Sequence, residues 1–280
     1  MSKNIENLYN LAQKGCVTHS SHFHADDVLS AALLKISGII PDVSVIQRVG
    51  RVPENFNGLA FDIGGGEFDH HQQNAGVRLN GKKYAAFGLL WNAIGAEYIA
   101  DKYNTDMNTA KIAAENFDTE FVTLMDLTDN FGSKVYPNPL AYLIATRNNG
   151  NYAEEERAIM FQNIANEYCV YLESGIKSVY DFINYKNIAR KLAVSDVITL
   201  TPDTFIPISA FENTKTKYIV KLSTRGTYNI MAVNPYKIAP EYKKLPGCIQ
   251  VYNIGAAFDN YTNALNAAHC LVEDFQIKSM

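Results

Sequence analysis

The sequence holds only four cysteines in 280 residues. Cys16, Cys169, Cys248 and Cys270 stand far apart and form no C-x-x-C pair. That argues against a zinc knuckle or disulfide framework and, without an extracellular context, leaves reduced, mostly buried thiols as the expectation. No run of about 18 apolar residues occurs, so no membrane span and no membrane partner are expected. A basic excess is also missing: 25 Lys and Arg against 29 Asp and Glu give a net charge of −4. Such a chain lacks the broad positive field needed to grip a long nucleic-acid backbone regardless of sequence. A short phosphorylated substrate stays open, because metal ions supply positive charge locally. Internal repeats and low-complexity tracts are absent. Residues 2–14 read as a polar-faced helix and not as a targeting segment, which makes the cytoplasm the expected location.

The composition is that of an ordinary globular protein, 47% hydrophobic and 19% charged. In the first third, short apolar runs alternate with helical patterns. Residues 15–18 predict a strand that leads into a histidine-rich turn. Residues 26–35 predict a helix with Asp26 and Asp27 in its first turn, where acidic side chains suit the helix dipole. Residues 43–49 and 59–61 predict two more strands, the latter stopped by Gly64-Gly65-Gly66, and residues 84–100 a helix. Strands separated by helices imply βαβ units and a mainly parallel sheet. The middle of the chain is helical, with Phe161, Ile164, Ala165, Tyr168, Cys169 and Leu172 on one face. Near Ala193 the pattern changes. Two strands, 218–222 and 228–233, are joined by a turn at Arg225-Gly226, and Thr262 is the expected cap of a final helix. The expected fold class is α/β: an N-terminal domain, residues 1–190, with a mainly parallel sheet flanked by helices. A smaller C-terminal α/β domain, residues 191–280, follows, with the active-site cleft between them.

Five of the six histidines fall in two short segments. The first is His19-Ser20-Ser21-His22-Phe23-His24-Ala25-Asp26-Asp27; the second runs from Asp62 through the three glycines to Asp69-His70-His71. Each follows a strand-like run, so each belongs at the carboxyl end of a strand, where open parallel sheets bind ligands. Mixed imidazole and carboxylate donors suit Mn²⁺, Fe²⁺, Co²⁺ or Zn²⁺ better than Ca²⁺. The bland alternative is a pair of polar surface turns, but two such clusters after two strands favour a metal site.

These segments resemble motifs of the DHH phosphoesterase superfamily: Thr18-His19, Phe23-His24-Ala25-Asp26, Phe61-Asp62 and Phe68-Asp69-His70-His71-Gln72. Three further stretches are similar to its metal-dependent hydrolase branch typified by the melanocyte-proliferating-gene exonuclease. They are Ala85 to Leu89, Met125 to Asn130, and Leu245-Pro246-Gly247-Cys248-Ile249. The resemblance implies two divalent metal ions, Mn²⁺ above all. His19 and His24 would hold one and Asp26 the other; Asp62 would bridge both, and His70 would join Asp26. A further ligand would be Asp126 or Asp129. Asp62 and His71 would be catalytic, His71 facing the substrate phosphate, while Asp69 would fix the turn and orient a histidine. His22 would be a bystander.

The implied activity is hydrolysis of phosphodiester bonds in short RNA, short DNA or phosphorylated small molecules such as nucleotides. The C-terminal stretch departs from the branch, with no Arg at Tyr228-Asn229-Ile230-Met231 and no His near Tyr252. Gly255 to Asn260 also replaces a richer glycine stretch. Two alternatives therefore stand: a metal-containing binding or regulatory protein without turnover, and a hydrolase of another bond. Arg48, Arg51, Arg78, Lys82 and Lys83 read either as guides for a phosphate or as solvated loop charge, and His269 as helix packing. Oligomeric state has no sequence signal.

Overall fold

The computed structural model describes residues 2–72 and 75–278. The chain divides into two compact units, Met1–Tyr180 and Asp181–Met280. The division falls within a 39-residue helix.

The first unit holds a three-stranded parallel sheet built from β1 (Cys16–His19), β2 (Ile46–Val49) and β3 (Leu59–Ala60), with β1 in the centre. Cys16 pairs with Ile46 on one side and Leu59 on the other. Cys16, Val17 and Thr18 are all buried, as a central strand covered on both faces requires. Around it lie α1 (Lys3–Ala12), α2 (Ala25–Ile36), α3 (Ala86–Tyr103), α4 (Met107–Phe117), α5 (Thr123–Phe131), α6 (Pro139–Thr146) and the start of α7 (Glu154–Leu192). Every residue of α2 from Ala25 to Leu34 is buried. A π-helical turn, Asp118–Val122, joins α4 to α5. The strand expected over 43–49 is shorter than its apolar run. The Asp42 carboxylate accepts from the Ser44 amide and curls Val43–Val45 into a 3₁₀ turn before β2 begins.

The second unit carries β4 (Val197–Leu200), β5 (Tyr218–Leu222), β6 (Tyr228–Ala232), β7 (Cys248–Tyr252), β8 (Gly255–Phe258) and α8 (Tyr261–Lys278). The sheet order is β4-β5-β6-β8-β7, with β4 and β5 parallel and the remaining pairs antiparallel. Alternation sorts its side chains: Val197, Tyr218, Val220 and Ile230 pack with Ala264, Ala268 and Leu271 of α8. Ile198, Leu200 and Ile219 face the other way, onto Ala189 near the end of α7.

Three expectations are corrected here. Asn260, not Thr262, caps α8, because its side-chain oxygen accepts from the Asn263 amide and starts the helix two residues early. His269 is exposed on α8 instead of packed, and Cys270 beside it is also exposed. Cys16 and Cys169 are buried as expected, and Cys248 is half-buried. Among the described residues no helix is long and apolar enough to cross a membrane.

Candidate metal centre

β1 delivers His19 at its last position, and α2 begins six residues later with His24 just before its first turn. Arg48 and Glu154 fix the loop between them. Arg48 Nη1 meets Glu154 at 2.8 Å, Arg48 Nη2 donates to the Ser21 carbonyl at 2.7 Å, and the Ser21 amide donates back to Glu154 at 2.9 Å. Asn148 donates to the Phe23 carbonyl at 2.8 Å and is itself held by Arg157 at 2.6 Å. The Arg48 side chain is only 2% exposed and lies over the rings of Phe23 and Phe161. It is therefore neither a phosphate guide nor solvated loop charge, and the same holds for Arg78, which is buried between Asp118 and Asp126. Arg51, Lys82 and Lys83 are exposed.

After β3 the chain turns at Asp62, whose φ of +56° lies in the left-handed region that Asp tolerates better than most residues. Gly64 and Gly65 follow with φ of +91° and +70°. The turn closes when the Asp62 amide donates to the Phe68 carbonyl and the Gly65 amide to Asp69 Oδ2, at 2.9 and 2.7 Å. The three-glycine stretch thus returns Asp69-His70-His71 to the side of Asp62.

The two carboxylate oxygens of Asp62 face different partners. Oδ2 lies 3.3 Å from His19 Nε2, which also sits 2.7 Å from Asp27 Oδ2. Oδ1 lies 3.1 Å from His70 Nε2, itself 3.2 Å from Asp129 Oδ2 and 3.9 Å from Asp26 Oδ2. His24 Nδ1 is 3.6 Å from the other Asp129 oxygen. Ligand atoms lie within 4.8 Å of one another in three groups: His19 with Asp27 and Asp62, His24 with Asp26 and Asp129, and Asp62 with His70 and His71. His19 and His24, expected on one ion, fall in separate groups. Asp129 stands in the cluster and Asp126 does not. Asp126 is turned away, one oxygen accepting from Arg78 at 2.6 Å and the other from the Gly88 amide at 3.1 Å.

Several of these contacts are short enough for ion pairs but lack the geometry of hydrogen bonds. Both oxygens of Asp26, Oδ2 of Asp27, Oδ1 of Asp62 and Nε2 of His70 are buried and lack a hydrogen-bond partner among the described residues. Buried polar groups left this way are costly. These residues also belong to the groups whose candidate ligand atoms lie within 4.8 Å of one another, close enough to share a cation. Four carboxylates, those of Asp26, Asp27, Asp62 and Asp129, also match the charge of two divalent cations. The donor set of imidazole nitrogen and carboxylate oxygen fits Mn²⁺ and its neighbours.

Outer contacts fix the rings. His19 Nδ1 meets the Ser20 carbonyl at 2.8 Å and His70 Nδ1 the Asn130 side-chain oxygen at 3.4 Å, which leaves Nε2 of each for the centre. Asn130 is tied in turn to the carbonyls of Tyr84 and Asp126. Asp69 Oδ1 accepts from the His71 amide and lies 2.8 Å from His71 Nδ1. The His71 side chain is 61% exposed. His22 is exposed and outside the cluster. Asp27 ends the first histidine/aspartate segment, yet the resemblance assigns it no ligand role, and its place in the first turn of α2 suits the helix dipole. Its Oδ1 does accept from the His24 amide at 3.1 Å, while its Oδ2 reaches the cluster. The available signal was a second Asp beside Asp26, three residues after His24.

Without a cation the cluster holds protons. Burial pulls the His19 imidazole down, but Asp27 and Asp62 outweigh it and raise it to about 11. Burial likewise opposes the rise at His70, where Asp129 and Asp62 bring it to about 10. Burial and then the charges of Asp62 and Asp129 push Asp26 well above the usual carboxylate range. Asp62, raised by burial, is held at about 2 by His19 and His70. Since the histidines sit above their ordinary value of 6.5 in the folded state, their contribution to metal-free stability is complete below about pH 6.5. It declines above that and is gone past about pH 11. Thermal melts of chelator-treated protein from pH 6 to 11 are expected to show this fall. A divalent cation bound here would displace the same protons, so Mn²⁺ affinity is expected to rise with pH across the window, with proton release visible in calorimetry in buffers of different ionisation enthalpy.

Gly88 makes the arrangement around Asp126 possible. A Cβ there would lie 1.8 Å from Asp126 Oδ2. Gly88→Ala would force a buried, Arg78-paired carboxylate to move. It should cost on the order of 3 kcal/mol in urea unfolding.

A profile of the family described as "Uncharacterised protein family (UPF0160)", MYG1_exonuc, matches residues 15–164. That span contains every residue of the cluster and lies within the first unit. A MYG1 protein of Dictyostelium discoideum is 26% identical over 132 residues, covering 44% of this chain and 40% of that protein. The structural comparison finds RecJ of Thermus thermophilus, solved with Mn²⁺, at 13% identity and a TM-score of 0.29, covering 98% of this chain and 54% of that one. The Mg²⁺ complex of the same protein gives 12% and 0.25, covering 99% and 52%. The matched part thus spans less than half of the curated relative, and the chain about half of each RecJ chain.

Proposed function

The chain belongs to the UPF0160 family, MYG1_exonuc, and from that premise we propose that it is a two-metal phosphoesterase. Its substrates are phosphodiesters of nucleotides or short nucleic acids, and water adds across a P–O bond to give a phosphomonoester and an alcohol. The observation that carries this reading is Asp62, whose two oxygens are divided between the His19 and the His70 sides of the cluster. A carboxylate so placed would serve two cations at once. When bound, two divalent ions lower the pKa of water from about 15.7 towards 7 and stabilise charge on the phosphoryl oxygens. His19, Asp27 and Asp62 would hold one ion; His70, Asp26, His24, Asp129 and the other Asp62 oxygen would hold the second. This division puts His24 with the second ion, because its nearest carboxylate is Asp129.

His71 does the protein's own acid work. Asp69 anchors its Nδ1, so Nε2 is free to donate to a phosphoryl oxygen or to pass a proton to the departing alkoxide. Asp69 keeps the ring oriented. Asp126 takes no part beyond locking α5 to α3 and Arg78. The name of the family profile points to exonuclease action. The net charge of −4 and the missing Arg at 228–231 favour substrates of a few nucleotides over long RNA. The test is incubation of Mn²⁺-loaded protein with dinucleotides, cyclic nucleotides and long RNA, with metal content measured on the same sample. Two ions per chain and cleavage of the short diesters are expected; preference for long structured RNA would count against the substrate class, and absence of bound metal against the site.

A further inference from the structure

A cavity of about 240 Å³ opens beside the cluster, and His24 and Asp129 form part of its wall. The rest comes from α5 and α6, chiefly Met125, Thr128, Ala141, Tyr142 and Ala145. Among the described residues no Lys or Arg lines it, so it does not suit a second phosphate or a run of backbone. The Thr128 hydroxyl, 2.7 and 3.0 Å from the Leu124 and Tyr136 carbonyls, is already engaged. Tyr142 contributes an exposed aromatic ring. The size is also telling. An apolar cavity of about 150 Å³ accepts benzene, and sites for drug-sized molecules run from roughly 300 to 1,000 Å³. This one admits a single heteroaromatic ring system.

We propose that this cavity is a nucleobase subsite, which seats the one base attached to the phosphate held at the cluster. The inference rests on the phosphoesterase reading and sharpens it: the substrate is recognised through one base and one phosphate, the two groups being bound at adjoining places that share His24 and Asp129. Stacking and apolar contact read the presence of a ring more than its identity, since every base offers a flat face. The site therefore takes purine and pyrimidine nucleotides alike and prefers a nucleoside ester to an ester lacking the base.

Two substrates with the same leaving group isolate the effect: the p-nitrophenyl ester of adenosine 5′-monophosphate, and methyl p-nitrophenyl phosphate. With Mn²⁺-loaded protein the nucleoside ester should be favoured in kcat/KM by roughly tenfold to a hundredfold. Ala145 is exposed on α6, so Ala145→Phe can fill the cavity from outside without disturbing the core, and it should collapse that ratio. Tyr142→Ala should reduce it. In parallel, calorimetry compares adenosine 5′-monophosphate with ribose 5-phosphate, which has the phosphate and no base. Tighter binding of the nucleotide that disappears in Ala145→Phe supports the subsite even if neither ester is cleaved, in which case the hydrolase reading alone fails. Cleavage of both esters with equal efficiency, or a nucleoside preference untouched by Ala145→Phe, overturns the subsite and leaves the hydrolase reading standing. Neither cleavage nor a base-dependent gain in binding removes both.

Discussion

Asp62→Asn is expected to give a folded protein that retains at most one of two ions and has lost at least about three orders of magnitude in turnover. The backbone should not be the cause, because Asn tolerates the left-handed conformation at this position as well as Asp does. The amide hydrogen bond to the Phe68 carbonyl needs no side chain and stays. What changes is the pair of oxygens. One becomes an NH₂ that cannot ligate a cation, and the charge that would screen the two proposed dications from each other is removed. In the wild-type cluster, Oδ1 is buried and without a hydrogen-bond partner while Oδ2 faces His19, so either orientation of the amide damages one side. Elemental analysis after identical Mn²⁺ loading, with circular dichroism to confirm the fold, checks the result. A variant that still holds two ions per chain and turns over normally would remove the bridging role.

The core of this centre was legible because it follows simple rules. β1 and β3 are short apolar runs, both end where a histidine or aspartate begins, and in a parallel sheet adjacent strand ends share one edge. His19 and Asp62 were bound to meet once that sheet formed. Asp126 and Asp129 show where such rules stop. Three residues apart on α5, they share one side of the helix, and spacing alone gives no choice between them. The choice is made from far away: Arg78, 48 residues earlier, and the amide of Gly88, 38 residues earlier, capture Asp126. The Arg48–Glu154 pair is similar, since its partners are 106 residues apart and a charged residue after a strand reads as a solvated one. In the second unit, β4, β7 and β8 were missed. β7 is irregular, with a register shift between Cys248 and Gln250, and most of its residues are exposed, so no clean alternation marks it.

The adjacent histidines should separate metal binding from proton transfer. His70 is 6% exposed, its Nδ1 faces Asn130, and its Nε2 lies within 3.2 Å of both Asp62 and Asp129. His70→Ala removes a nitrogen from the middle of the cluster, so metal content and activity should fall together. His71 is 61% exposed, and the ring nitrogen nearest the cluster, Nδ1 at 3.6 Å from Asp62, is already occupied by Asp69 at 2.8 Å. His71→Ala should keep both ions while turnover drops by about two to four orders of magnitude, the scale for losing an acid or an electrostatic stabiliser. Asp69→Asn gives an intermediate: it keeps the turn but loosens the orientation of His71, so a smaller loss of kcat at full metal content is expected. A substrate whose leaving group is already acidic, such as p-nitrophenolate, needs no proton, and His71→Ala should be hurt far less on it than on a dinucleotide. That contrast decides between the acid role and the stabilising role, because a hydrogen bond to the phosphoryl oxygen helps both substrates equally. If His71→Ala loses metal to the same degree as His70→Ala, the two are joint ligands, and the proton must come from elsewhere.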